Sequence, residues 1–352
     1  MKKYISIIEG DGIGPEIMKQ TLKVLNAITK KYNHEFHYNF LFAGGVAIEK
    51  YNVPITENTI KNCIESDSVL FSCVGDPKYD CNKIGFRPED GILKLRKSMR
   101  LYCNIRPILF FPGINISPIK QEIINKADFI IYRELTGGIY FGKKGRSKNL
   151  RKAYDYCVYS KKEIIRIAKV AFDASLLRKK KVTLVDKANV LETSKLWRET
   201  VKEVSLDYPK VKLDYLYIDN AAIQIIKNPN NFDIILTDNM FGDILSDESS
   251  VISGSLGLLP SASIGDNKKY LFEPVHGSYP IAKGKNIANP IGCILSAAMM
   301  LDYFGMLKEK ILLEKAVKMS ILNKISTEDI NTDNPSGTEE VGNYIEKYIF
   351  NY

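Results

Sequence analysis

The sequence predicts an α/β fold. Short apolar runs that read as buried strands alternate with segments of helical periodicity along the chain. Charged residues recur just past the ends of those runs, at Arg106, Arg133, Lys187, Asp219 and Asp243, and open α/β sheets place their ligands at that edge. The 352 residues, 45% hydrophobic and 26% charged, suffice for two domains and a large core.

The elements follow in order. Tyr4 to Ile8 reads as a strand, and Glu9-Gly10-Asp11-Gly12-Ile13-Gly14-Pro15-Glu16 as a turn whose proline suits the start of a helix. Met18, Leu22, Leu25 and Ile28 mark one face of that helix. The glycines suggest a Rossmann phosphate loop, but their spacing is Gly-x-Gly-x-Gly and no ribose-binding acid follows a clear βαβ unit, so the fingerprint is incomplete. Val69 to Val74 is a buried strand, Ile92 to Met99 a helix, and Leu101 to Ile105 leads into Arg106-Pro107. Phe129 to Tyr132 is a strand running into Arg133. Ala153 to Tyr159 partly alternates, as in an exposed hairpin arm, and Ser160-Lys161-Lys162-Glu163 is a capping box opening a helix through Leu177. Val182 to Val185 and Leu213 to Ile218 are strands. Phe232 to Leu236 is another, after which Gly242 breaks the chain and a helix begins near Asp243. Helices cover Pro290 to Phe304, residues 310 to 321 and the C-terminal region.

Composition narrows the function classes. The longest uncharged apolar stretch, Ile291 to Leu301, is too short to span a bilayer, and no secretory core follows Met1-Lys2-Lys3, so a cytoplasmic protein without membrane contact is expected. Six cysteines show neither CxxC pairs nor zinc spacing, which points to reduced, buried thiols. The net charge of +9 is dispersed among acids, as in a lysine-rich solvated surface rather than a nucleic-acid groove.

The chemistry gathers in a few residues. Asp243 and Asp247 are four apart, so a helix turns both carboxylates the same way, and their mutual repulsion asks for something positive between them. A hard cation such as Mg²⁺ or Mn²⁺ suits such oxygens; the alternative is that both acids decorate a helix N-terminus. Arg96, Arg100 and Arg106 cluster in one unit, with Arg133 after a later strand. Guanidinium groups bind carboxylates bidentately, although each could equally be a surface salt-bridge partner. Lys187 could serve as a base and Tyr140 as a proton donor. Together these parts fit oxidation of a 2-hydroxy acid followed by loss of a β-carboxylate, with an external nicotinamide to take the hydride.

Several longer segments carry a resemblance: GDGIGPE (10–16), LRKSMRLYCNIRP (95–107), RELTGGIYFG (133–142), VDKANVLETSKLWRE (185–199), DNMFGDILSDESS (238–250), GSLGLLPSAS (254–263) and EPVHGS with KNIANP (273–290). By these the chain resembles the isocitrate/isopropylmalate family of metal-dependent β-decarboxylating dehydrogenases over nearly its whole length. The resemblance implies the family's two-domain, non-Rossmann fold. A discontinuous cofactor-binding domain would comprise 1–101 and 251–352. A central domain of 102–250 would carry the metal site and make the dimer, with an arm near 140–160 at the interface. It also implies a small-molecule substrate and a homodimer whose active sites are shared between subunits.

The implied roles fall residue by residue. Arg96, Arg106 and Arg133 match the clamp for the malate carboxylates. Tyr140 matches the residue that protonates the enol. Lys187 and Asp219 match a pair given by the other subunit, with Lys187 as base. Asp219, Asp243 and Asp247 match the Mg²⁺ or Mn²⁺ ligands. Glu89 matches the residue near the nicotinamide ribose. Glu273, His276, Gly277, Ser278, Ile281 and Asn289 fall in the matching cofactor loop. Ile92 and Leu93, with Val190 of the other chain, would form an apolar pocket for an isopropyl group. Isocitrate-type relatives place Ser and Asn where this chain has Asp90 and Ile92. The implied reaction is oxidative decarboxylation of 3-isopropylmalate to 4-methyl-2-oxopentanoate with NAD, a step of leucine biosynthesis. The alternatives are an isocitrate or D-malate/tartrate type of enzyme, or a non-catalytic regulatory subunit, which should have lost clamp or metal residues. One departure bears on NAD: many NAD-dependent members have an Asp at the place of Ile281. Lys283 and Lys285 leave a 2′-phosphate conceivable.

Overall fold

The structure, a computed structural model, describes residues 1–83, 85–114 and 116–352, with the side chain of residue 267 set aside. It divides into two compact units: residues 1–101, 111–118 and 253–352, and residues 102–110 and 119–252. Residues 111–118, which the sequence reading put in the central stretch, belong with the first unit. There Ile114 is buried, and a Cβ on Gly254 would sit 2.6 Å from its Cγ2.

In the first unit the strands lie in the order Glu35–Leu41, Lys2–Gly10, Ser68–Cys73, Tyr270–Pro274 and Pro260–Gly265. The first four are parallel, and only the last pair is antiparallel. Glu35–Leu41 escaped the sequence reading because it is an edge strand with little buried apolar surface. The helix Ile291–Tyr303 is apolar on all sides. It packs on both C-terminal strands and against the helices Gly14–Tyr32 and Leu307–Leu322, so residues 291–298 are buried all round and only its C-terminal turn, with Asp302 and Tyr303, reaches solvent.

The turn after the first strand is not a phosphate loop. The Asp11 carboxylate accepts the backbone N–H groups of Gly45, Val46 and Gly75 at 2.8, 2.9 and 3.0 Å, occupying the anion position itself. Gly12 has φ +57, and a Cβ there would lie 2.0 Å from the Ser278 carbonyl oxygen, so only glycine allows this approach. Pro15 then opens the helix Gly14–Tyr32, in which Met18, Leu25 and Ile28 are buried.

In the second unit the strands run in the order Leu101–Leu109, Asp128–Glu134, Ile234–Thr237, Lys181–Asp186 and Lys212–Tyr217. The first pair is antiparallel and the rest are parallel. Arg106 therefore lies within a strand rather than after one. Because that strand runs against its neighbour, Asn104 pairs with Arg133 and Arg106 falls two residues along. The capping box forms: Ser160 Oγ accepts the Glu163 N–H, and Glu163 Oε2 accepts the Ser160 N–H. An arm is present as a hairpin of Lys144–Arg146 with Ala153–Asp155, and Leu150, Tyr154, Tyr156 and Val158 on it are exposed.

The helix bearing the two aspartates starts earlier than expected. It spans Asn239–Glu248 and is capped by Asp238, whose carboxylate accepts the Phe241 N–H at 2.8 Å. Gly242 is inside it. A Cβ there would lie 2.7 Å from Cγ and 2.8 Å from Cβ of Arg133, so the glycine lets helix and strand touch. Gly242→Ala is expected to destabilise the protein by roughly 1–3 kcal/mol through overpacking, read as a lowered urea midpoint, and to displace Arg133. An unchanged midpoint would mean that the contact yields freely.

Candidate active site

In the second unit, strand and helix bring five of the predicted residues together. Arg133 is almost fully buried; its Nη1 donates to Asp243 Oδ1 at 2.6 Å, and its Nε and Nη2 donate to Asn239 Oδ1 at 3.0 and 2.8 Å. Arg106 is also buried. Its Nε donates to Asn104 Oδ1 at 2.8 Å and its Nη1 to Ser246 Oγ at 2.5 Å, while Nη1 reaches Asp247 at 3.2 Å and Nη2 lies 3.5 Å from Asp243. The Tyr140 hydroxyl donates to Asp243 Oδ2 at 3.0 Å. Asp243 and Asp247 do share a helix face, and the positive charge beside them is guanidinium.

Burial pushes the Asp247 carboxyl up, against the pull of Arg106. Burial, then the Asp243 charge, raises the Tyr140 phenol, so Tyr140 holds its proton at neutral pH. Sequence reasoning missed Asn104, Asn239 and Ser246, which orient the guanidinium groups. The last two had a signal: Asn239, Asp243 and Ser246 fall on one helical face.

Lys187 and Asp219 form a separate pair, the Nζ donating to Asp219 Oδ1, and that bond holds the Asp219 carboxyl below its ordinary range. Asp186, beside Lys187, is taken up by Arg198 through two hydrogen bonds of 2.9 and 2.8 Å. Val190 is exposed.

The first unit holds the remaining predicted residues. Arg96 Nη2 donates to Glu273 at 2.6 Å, and its Nε–H is buried with no acceptor among the described residues. Glu89 lies against Gly75. Asp90 closes the turn before its helix by accepting the N–H groups of Gly85 and Arg87. Ile92 is buried in the unit's interior and Leu93 is half-exposed.

A cavity of about 580 Å³ is lined by His276, Gly277, Asn289, Ile13, Glu328 and Asp329, among others. His276 Nε2 is buried there without a partner among the described residues. The side chains of two predicted cofactor residues are engaged in holding the backbone. Ser278 Oγ donates to the Gly75 carbonyl at 2.6 Å, and Asn289 bridges Asp329 and the Ile291 N–H. Ile281 is exposed and lies outside the cavity lining. All six cysteines are free; Cys81 and Cys157 are exposed rather than buried. Among the described residues no helix is long and apolar enough to cross a membrane.

Residues 4–345 match the isocitrate/isopropylmalate dehydrogenase family. The chain belongs to that family. Its relatives include proteins named 3-isopropylmalate dehydrogenase from Bacteroides fragilis (47% identical; 98% of each chain covered), Wolinella succinogenes (48%; 99% of this chain and 98% of the relative) and Bacillus subtilis (45%; 94% and 92%). Among solved structures, an isocitrate dehydrogenase from Methylococcus capsulatus superposes with a TM-score of 0.91 at 32% identity over 99% of both chains. A β-decarboxylating dehydrogenase from Thermococcus kodakarensis gives 0.81 at 35%, over 99% and 96%. The family's fold is thus this chain's fold, and the chain is a dehydrogenase.

Membership implies a nicotinamide cofactor and a divalent metal. Asp243 and Asp247 fit a hard cation as far as they go: they are carboxylates on one face, partly withdrawn from water. Two are too few, and among the described residues no group of three or more His, Cys, Asp or Glu is arranged to hold a metal. The cavity, with its orphaned His276 nitrogen and apolar wall, fits an aromatic base.

Burial also pushes Asp238, the helix cap, up to about 6. Its folded-state value lies above the unfolded one, so the folded state binds the extra proton. The resulting stability is full below about pH 4 and is lost as pH rises through 6. Asp238→Asn keeps a capping oxygen and removes this component. Its stability relative to the parent is expected to rise, by on the order of 2 kcal/mol, between pH 4.5 and 7.5 in urea titrations. Parallel curves for the two proteins would contradict the assignment.

Proposed function

We propose that this chain is an NAD-dependent 3-isopropylmalate dehydrogenase of leucine biosynthesis, working as a cytoplasmic homodimer. The observation that carries the reading is the convergence of Arg106, Arg133 and Tyr140 on the carboxylates of Asp243 and Asp247. Full-length relatives bearing that name support it.

In this reading Arg106 and Arg133 bind the malate carboxylates, and the vacant Nε–H of Arg96 takes a further oxygen. Lys187 of the second copy, held by that copy's Asp219, accepts the proton of the C2 hydroxyl as the C2 hydride leaves for the nicotinamide. The bond from C3 to the carboxylate then breaks: CO₂ leaves, its electron pair forms the C2–C3 double bond, and the lysine hands its proton back to the C2 oxygen to give the enol, which loses that proton again as C3 is protonated. Tyr140, kept protonated, returns a proton to C3. When bound, Mg²⁺ or Mn²⁺ supplies a Lewis acid at the C2 oxygen. Asp243 and Asp247 would hold it, joined by Asp219 of a second copy, in keeping with the two-carboxylate set of a single chain. The exposed apolar residues of the arm support such a dimer. The unit of 102–110 and 119–252 would carry metal and dimer contacts, the other the cofactor.

NAD is favoured over NADP because the cavity is lined by two acids, Glu328 and Asp329, and, among the described residues, by no lysine or arginine. A 2′-phosphate in the cavity would meet carboxylates and no cation. Glu89, Glu273, Gly277, Ser278 and Asn289 shape the cofactor region, with Ile281 at its exposed margin.

For the alkyl group, Leu93 with Val190 of a second copy would form the contact, with Ile92 behind it. Burial of an isopropyl group there gains about 0.8 kcal/mol per carbon, whereas a third carboxylate would find no donor. Steady-state rates are therefore expected to favour 3-isopropylmalate over isocitrate by orders of magnitude in kcat/KM, with NAD, and to vanish in excess chelator until Mg²⁺ or Mn²⁺ is restored. Comparable turnover of isocitrate would move the assignment to the isocitrate type, and full activity without metal would remove the metal ligands. Arg96→Ala and Lys187→Ala homodimers should each be nearly inactive. Random mixing should restore roughly a quarter of parental activity, because half the dimers gain one intact site. Failure to recover after proven subunit exchange would argue for sites within one chain.

A further inference from the structure

We propose that Glu16 is a positioning residue that latches the loop bordering the cofactor cavity, so that dinucleotide affinity depends on a carboxylate outside the cavity lining. The proposal rests on the reading of that cavity as the nucleotide site. Glu16 lies in the first turn of the helix Gly14–Tyr32, where the macrodipole alone would explain an acid. Its contacts go further. Both oxygens accept backbone N–H groups from one distant loop: Oε1 that of Gly284, and Oε2 that of Asn286 at 3.3 Å.

That loop supplies Tyr279, Ile287, Ala288 and Asn289 to the cavity wall. It has little structure of its own beyond the short turn Pro280–Ala282, and Tyr279, Gly284 and Asn286 adopt φ of 40, 74 and 58. Its two ends are anchored. Ser278 accepts the Ile13 N–H through its carbonyl and donates through Oγ to Gly75. At the other end the Asn286 carbonyl accepts the Thr338 N–H, the Asn286 side chain accepts the Glu339 N–H, and Thr338 Oγ1 donates to the Ala288 carbonyl. Between those anchors, residues 279–285 make one hydrogen bond to the rest of the described chain, donated by the Gly284 N–H to Glu16. Lys19, one turn along the same helix, pairs with Glu339 at 2.7 Å and closes the circuit of helix, loop and C-terminal helix. Releasing the latch leaves the loop free to move away from the cavity, and a ligand must then order it on binding, which weakens apparent affinity.

The test uses the full-length enzyme, ADP-ribose as probe and two variants. Glu16→Ala removes both acceptors. Glu16→Gln keeps the shape but turns an NH₂ toward one of the N–H groups. Calorimetry should show ADP-ribose bound about tenfold more weakly by Glu16→Ala, with an intermediate loss for Glu16→Gln, in line with loss of hydrogen bonds to a charged acceptor. KM for NAD should rise by a similar factor while kcat at saturating NAD and KM for 3-isopropylmalate change far less. Amide exchange should accelerate at Gly284 and Asn286 before it does in the surrounding helices. Equal ADP-ribose affinity in parent and both variants would overturn the latch and leave the cavity reading standing. Loss of kcat together with a general loss of exchange protection would overturn it in favour of a purely structural role. A parent enzyme that binds no ADP-ribose would overturn the cavity reading, and the latch with it.

Discussion

The central unit is arranged around one carboxylate. Asp243 receives Arg133, Tyr140 and the approach of Arg106, and two of those three are buried cations. A buried guanidinium is costly unless its donors are met, and removing its partner leaves that cost uncompensated. The strand carrying Arg133 and the helix carrying Asp243 are therefore bound to one geometry, and Gly242 permits the approach. Asn104, Asn239 and Ser246 meet donors that the carboxylates cannot. The result is a set of cationic groups held in fixed orientations by the protein's own acceptors.

The same economy of polar groups governs the first unit. Asp11 fills with its own oxygens the turn where a phosphate would otherwise sit, and Glu16 turns its oxygens to the loop at 284–286. The motif GDGIGPE is thus a structural hub whose acids hold backbone together. Arg96 differs: it satisfies Glu273 yet keeps a buried N–H without a partner among the described residues. Buried unsatisfied donors are uncommon in folded proteins, and such a group is where a ligand oxygen is most strongly favoured.

Strand alternation, the capping box at Ser160 and the shared face of Asp243 and Asp247 were legible in the sequence, because each depends on residues within a few positions of one another. The long motifs that carry family membership were legible for a related reason: they are contiguous stretches whose residue types are set by the site. Less was readable where a residue's meaning comes from a contact that only the fold makes. Asn104 is an unremarkable polar residue until Arg106 Nε is placed against its side-chain oxygen.

The sequence by itself determined the α/β class, the family and the identities of the charged residues, since local periodicity and contiguous motifs depend on neighbours along the chain. Tertiary structure alone decided which guanidinium groups meet the aspartate pair, where its helix begins and what Gly242 is for. It also decided that Glu35–Leu41 is a strand and that Ile92 is buried. The physical reason is common to all of these. Hydrogen-bond satisfaction, close backbone approach and burial are properties of pairs far apart in sequence, such as Arg133 with Asp243 or Glu16 with Gly284, and no window along the chain contains both partners.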